Sequence, residues 1–148
     1  MSHHLLLVIH LLSAAIWVGG HLFIAIRILP RALREKDAAI ILTVEKAYEP
    51  IGIPALLLLV ASGIWMATSY VPIQFWFSFS LPVERVISLK LLLLFSTVLL
   101  ALSAQIRVIP ALKKNRSKLN EMSLHIIGVT VIGVAMLVLG SFVRFGGV

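Results

Sequence analysis

Residues 10–30, HLLSAAIWVGGHLFIAIRILP, decide the fold of this chain. They continue an apolar run that begins at Leu5 and meets no charged side chain before Arg27, long enough to cross a bilayer as a helix. Two histidines sit inside that run, at a depth where polar side chains are costly. Eleven helical steps of about 100° return His21 to within roughly 20° of the His10 direction, about 16 Å further along the axis. Ser13, Ala14 and Trp17 lie on the same face. An ionisable residue inside a membrane helix, by default, faces the bundle interior and marks a site or pathway. The other segments read as arranged around this face.

The whole-chain composition agrees. A content of 60% hydrophobic residues and a mean hydropathy of +1.07 over 148 residues exclude a water-soluble domain, and the length gives one domain, 1–148. The absence of cysteine excludes disulfides, thiolate metal sites and thiol redox chemistry. A net charge of +7 suggests nucleic acid in isolation, but its distribution follows membrane topology, so no nucleic acid is expected as a partner. The N-terminus carries no Lys or Arg before the apolar run, and the run is too long for a signal peptide core. It reads as a retained first helix.

Four spans follow, at roughly 4–29, 51–71, 86–109 and 122–143, which predicts an all-α integral membrane protein, a four-helix transmembrane bundle. Residues 31–49, RALREKDAAIILTVEKAYE, mix charge with an apolar stripe and predict an amphipathic interfacial helix between the first two spans, ending at Pro50. Residues 72–83, PIQFWFSFSLPV, are aromatic, uncharged and bounded by prolines, and predict an interfacial loop or re-entrant turn. Ten Lys and Arg residues gather at the Pro30 and Lys113 ends of the spans, against Arg85, Lys90 and Arg144 at the opposite ends. That bias places both termini and the aromatic loop on the non-cytoplasmic side of the membrane.

A short internal repeat runs through this pattern. The first span ends in Arg27-Ile28-Leu29-Pro30 and the third in Arg107-Val108-Ile109-Pro110, 80 residues apart, and the same shift carries His10 onto Lys90. Two parallel hairpins related by an axis along the membrane normal would produce this. So would the commonness of Arg-apolar-apolar-Pro as a helix ending.

Depth along each span groups the polar residues. His10 and Lys90 fall roughly 10 Å to the outer side of the midplane, His21 about 6 Å and His125 about 10 Å to the inner side. His21 and His125 therefore form a candidate axial pair for a b-type haem, with His10 as the alternative ligand. Gly19, Gly20 and Gly128 flank the pair, and Arg27 and Arg107 lie one or two turns below as candidate propionate partners. The competing explanation is that the histidines hydrogen-bond neighbouring helices and the glycines permit close helix packing.

Copper is the other candidate ligand, bound through His10, His21 and His125. Cu(I) prefers Cys and Met, yet Cys is absent and Met66, Met122 and Met136 are spread over two spans without paired spacing. His3 and His4 with the amino terminus offer a surface Cu(II) ligand set. The ladder from there through His10 and His21 has gaps of about 16 Å, too long to pass a bare ion without further donors. Lys90 either snorkels to the outer interface or remains a buried amine suited to proton transfer or to holding an anionic group, which makes it the catalytic candidate. Nothing resembles a nucleophile triad, a phosphate loop or a zinc-protease motif.

With these residues in view, HLLSAAIWVGGHLF, IGIPALLLLVASGIW and SLKLLLLFSTVLLAL ending in RVIPAL resemble the copper-resistance protein D (CopD) family of bacterial inner-membrane proteins, over residues 4–143. The pattern is similar, more distantly, to the membrane protoporphyrinogen oxidase of the HemJ type, a family associated with haem b. Both resemblances imply His10 and Lys90 as functional positions. His21 and His125 are additional to the haem-oxidase pattern. The expectations to be met are then a haem-dependent membrane oxidoreductase exchanging electrons with a quinone or small redox partner, or a copper-handling membrane protein using the same histidines without haem. A structural subunit with replaceable histidines is a third.

Overall fold

In a bilayer every backbone N–H and C=O must be paired inside the chain, so long apolar segments rich in Leu, Ile, Val and Ala have helix as their stable form. The computed structural model, which describes residues 3–143 and 145, bears this out. Four helices are long and apolar enough to span a membrane: α1 (His3–Glu35), α2 (Ala38–Tyr70), α3 (Pro82–Lys114) and α4 (Leu119–Val143). No strand occurs among the described residues. Arg144, and the amino terminus invoked above with His3 and His4, lie outside them.

The connection between α1 and α2 differs from the expected interfacial helix. Residues 31–49 are helical apart from a break at Lys36 and Asp37, but they form the end of α1 and the first turns of α2. Lys36 takes a left-handed conformation (φ 52°) that ends α1, and the Asp37 carboxylate accepts the Ala39 N–H at 2.9 Å to start α2. Pro50 and Pro54 then sit within an unbroken α2. Proline removes one helical hydrogen bond, but leaving the helix would free many more backbone groups where no water can pair them.

Helix α1 packs chiefly on α2 and α3 chiefly on α4, giving two hairpins in parallel. Helices α1 and α3 are each 33 residues long, and each carries a π-helical turn, Ile24–Ile28 in α1 and Ala104–Val108 in α3, at the same 80-residue offset as the sequence repeat. A shared wide turn at a shared register is a stronger sign of duplication than the Arg-apolar-apolar-Pro ending alone.

Packing is unequal along the bundle. At the basic end Ile24, Leu29, Ile41, Val108, Leu112 and Met122 belong to the largest buried cluster. A smaller cluster around Trp17, Leu56 and Val129 occupies the middle, and only Ala67, Val71 and Ile87 form the buried cluster near the aromatic loop. Glu84 ties that loop down: its carboxylate accepts hydrogen bonds from the Ser78 hydroxyl and from the Leu81 N–H. The thin packing at this end leaves the space in which the candidate site lies.

Candidate functional site: two cavities within the bundle

His10 enters the bundle from α1 opposite Gly63 of α2. A Cβ at Gly63 would come within 3.3 Å of the imidazole, so glycine is what admits the ring. The Ser62 hydroxyl donates to the Leu58 carbonyl one turn back and accepts from His10 Nδ1 at 2.9 Å. That arrangement puts the proton on Nδ1 and leaves the Nε2 lone pair bare, the state in which imidazole ligates a metal. Lys90 mirrors this on the second hairpin: its Nζ lies 3.3 Å from where a Cβ of Gly140 would stand.

Both side chains line one cavity of about 980 Å³, together with Trp17, Met66, Thr97 and Met136. The structure thus brings His10 and Lys90 together, and adds two thioethers from different helices. Met66 and Met136 stand on different helices, so spacing within one helix does not pair them. Their depth was the usable signal: both lie on the outer side of their span centres, near the His10 layer. Met122 is a core residue of the basic end.

His21 is buried nearer the basic end. Its Nδ1 donates to the Trp17 carbonyl at 2.9 Å, its ring lies 4.3 Å from the Trp17 ring, and Tyr48 meets it edge-on at 5.6 Å. Tyr48 arrives because α2 continues through Pro50; its hydroxyl donates to the carbonyls of Ile16 and Trp17 at 3.0 and 3.3 Å. Side chains at Gly20 or Gly52 would overlap the Tyr48 ring, so these glycines serve that packing. His125 Nδ1 donates to the Glu121 carbonyl at 3.1 Å, and the Ser103 hydroxyl donates to its Nε2 at 3.2 Å.

His21 and His125 do line a common pocket, with Trp17, Glu45, Tyr48 and Gln105, but its volume is only about 60 Å³. A porphyrin does not fit there. Tyr48 fills the side of His21, and both His125 nitrogens are already engaged. The expected propionate partners are elsewhere as well: Arg27 is exposed, and Arg107 points to Glu121 at 3.8 Å on the surface. Similar depth thus brings His21 and His125 to one pocket without giving them the space that an axial pair would need. Among the described residues no group of three or more His, Cys, Asp or Glu stands close enough to hold a metal ion.

Residues 42–143, which take in most of α2 and all of α3 and α4, match the family of copper resistance protein D. The chain belongs to that family. No curated protein and no solved structure matches it, so the likeness to membrane protoporphyrinogen oxidase has no support beyond the residues quoted for it. This copper resistance protein D relative is a multi-pass membrane protein whose matched region contains Met66, Lys90, Thr97, His125 and Met136. His10, Trp17 and His21 precede it, on α1.

Proposed function

We propose that this protein handles copper as Cu(I) in the 980 Å³ cavity, with His10 Nε2, Met66 and Met136 as the donors that receive the ion. The observation that carries this is the convergence of one imidazole with a bare nitrogen and two thioethers on a single cavity of a copper resistance protein D family member. Soft thioether sulfur together with imidazole selects Cu(I) over harder divalent ions. The bias of ten basic residues against three supports an inner-membrane orientation in which the cavity end faces the non-cytoplasmic side. His21 and His125 then stand on the cytoplasmic side of the cavity.

Copper-free protein titrated anaerobically against a competing Cu(I) chelator tests the proposal. Wild type takes up Cu(I) stoichiometrically; His10→Ala and the double variant Met66→Leu/Met136→Leu each lose at least about tenfold in affinity, the cost of one good ligand. Unchanged affinity in both variants overturns it.

A b-type haem is the second reading, and the cavity volume is what favours it: this space, with His10 as a single ligand, has room for a porphyrin. Electron exchange with a quinone or other small redox partner belongs to this reading alone. Protein purified with its native lipids and showing a Soret band that shifts in His10→Ala decides for haem; copper uptake without such a band decides for copper.

A further inference from the structure

The donors proposed for the large cavity are all neutral, and neutral donors do not choose between ions by charge. Imidazole also suits Zn(II), Ni(II) and Cu(II), and thioether softness narrows that choice without closing it. What else the cavity holds therefore decides which ion charge it admits.

Lys90 is the one Lys, Arg, Asp or Glu among the described lining residues, so no acidic group there offsets its ammonium. It makes no ion pair with any described residue. Its Nζ is held inside the bundle, 3.3 Å from where a Cβ of Gly140 would stand. From there its charge acts directly on the His10 ring across the hairpins. Other polar groups give no counterweight. Trp17 Nε1 and Thr97 Oγ1 are shut away from the open space and lack partners, and the Ser141 hydroxyl donates to the Val138 carbonyl at 2.7 Å. A metal ion on His10 thus faces an uncompensated positive charge through a mostly apolar space, where screening by salt is weak.

Coulomb energy is proportional to the charge of the ion. The ammonium therefore opposes a divalent ion with twice the free energy it applies to a monovalent one, and its fold effect on the divalent ion is the square. Such an arrangement is a poor way to hold a metal tightly and an effective way to select its charge. It suits a cavity that must also let the ion go, since a bound ion has to be held weakly enough to leave.

We infer that Lys90 is a specificity-determining residue of the copper cavity, whose ammonium leaves His10 open to a monovalent ion and turns divalent ions away by charge. The identity of the monovalent ion as copper rests on the reading above; the charge selection rests on His10 and Lys90 themselves.

Ag(I) and Cd(II) are the probes, because they share a filled d shell, both accept imidazole and thioether, and differ in charge. Their affinities are measured by calorimetry at one neutral pH, with the full chain in uncharged detergent. Lys90→Leu removes the charge and adds no donor. It should bind Ag(I) about tenfold and Cd(II) about a hundredfold more tightly than wild type, the scale set by unit charges roughly 10 Å apart at an effective dielectric of about 20. Lys90→Gln should show the same gains and Lys90→Arg neither, and both gains should vanish once His10→Ala is added. A gain in affinity cannot come from unfolding. Unchanged affinities, equal gains for the two ions, no binding of either ion to Lys90→Leu, or a loss in both neutral variants overturns the inference; the last would make the amine a ligand. The Cu(I) titration of wild type and His10→Ala is a separate measurement. Its failure removes copper as the cargo, whereas equal Ag(I) and Cd(II) gains remove only the charge selection.

Discussion

Replacing Ser62 by Ala tests whether His10 is held ready for a metal. In the native arrangement Ser62 Oγ gives its proton to the Leu58 carbonyl and accepts from His10 Nδ1 at 2.9 Å, which fixes both the tautomer and the ring plane. The alanine removes a neutral hydrogen bond worth about 1 kcal/mol and leaves the imidazole held only by the Leu59 carbonyl. The ring can then rotate and exchange tautomers, so part of the population turns its lone pair away from the cavity. Loss of a ligand-orienting partner of this kind typically costs about 10- to 100-fold in metal affinity. Because Ser62 does not itself ligate, the smaller end applies: about tenfold weaker Cu(I) binding, near 1.4 kcal/mol. Ser62→Thr, which keeps a hydroxyl, retains most of the affinity. Competition with a Cu(I) chelator, wild type against both variants, provides the readout. Full affinity in Ser62→Ala, alongside lost binding in His10→Ala, would refute the tautomer argument while leaving His10 a ligand.

Other outcomes follow from the packing. A side chain at Gly52 collides with the Tyr48 ring, so Gly52→Ala should lower thermal stability by about 1–3 kcal/mol, measured by unfolding in detergent, and leave copper uptake in the large cavity intact. Glu84→Ala removes the acceptor for Ser78 and the Leu81 N–H, and limited proteolysis should then cut residues 73–81 faster than in the wild type. Fusion of a reporter that is active only outside the cytoplasm to the C-terminus should give activity, and a cytoplasmic fluorescent reporter at the same place should stay dark.

Much of this architecture is written in the chain's hydropathy. Spans, parallel hairpins and the layer that joins His10 to Lys90 follow from helical rise and charge bias alone, because a bilayer enforces length and depth. Rotation about each helix axis is not encoded so directly. His21 and His125 share a pocket as their depths suggest, yet Tyr48 occupies the room a cofactor would need, and Tyr48 is there only because α2 runs on through Pro50 and Pro54. A proline that would end a helix in water does not end one where the alternative is unpaired backbone. The same depth arithmetic, extended to thioethers, would have placed Met66 and Met136 beside His10. The orphaned donors at Trp17 and Thr97 had no signal in sequence, since an unmade hydrogen bond depends on every neighbour at once.

Duplication explains why one space holds such unlike groups. A parallel repeat about an axis along the membrane normal leaves the two ends of the bundle different, and here one end is packed and the other hollow. Each register position facing the hollow is then presented twice, once from each hairpin. His10 and Lys90 form one such pair, Trp17 and Thr97 the next. Identical copies would have set two imidazoles against each other, a site closed by its own symmetry. Divergence instead supplies a neutral ligand from one half and a cation from the other, each seated against a glycine of its own hairpin partner. The asymmetry gives a single cavity both a neutral imidazole and an ammonium, a combination that neither hairpin offers alone.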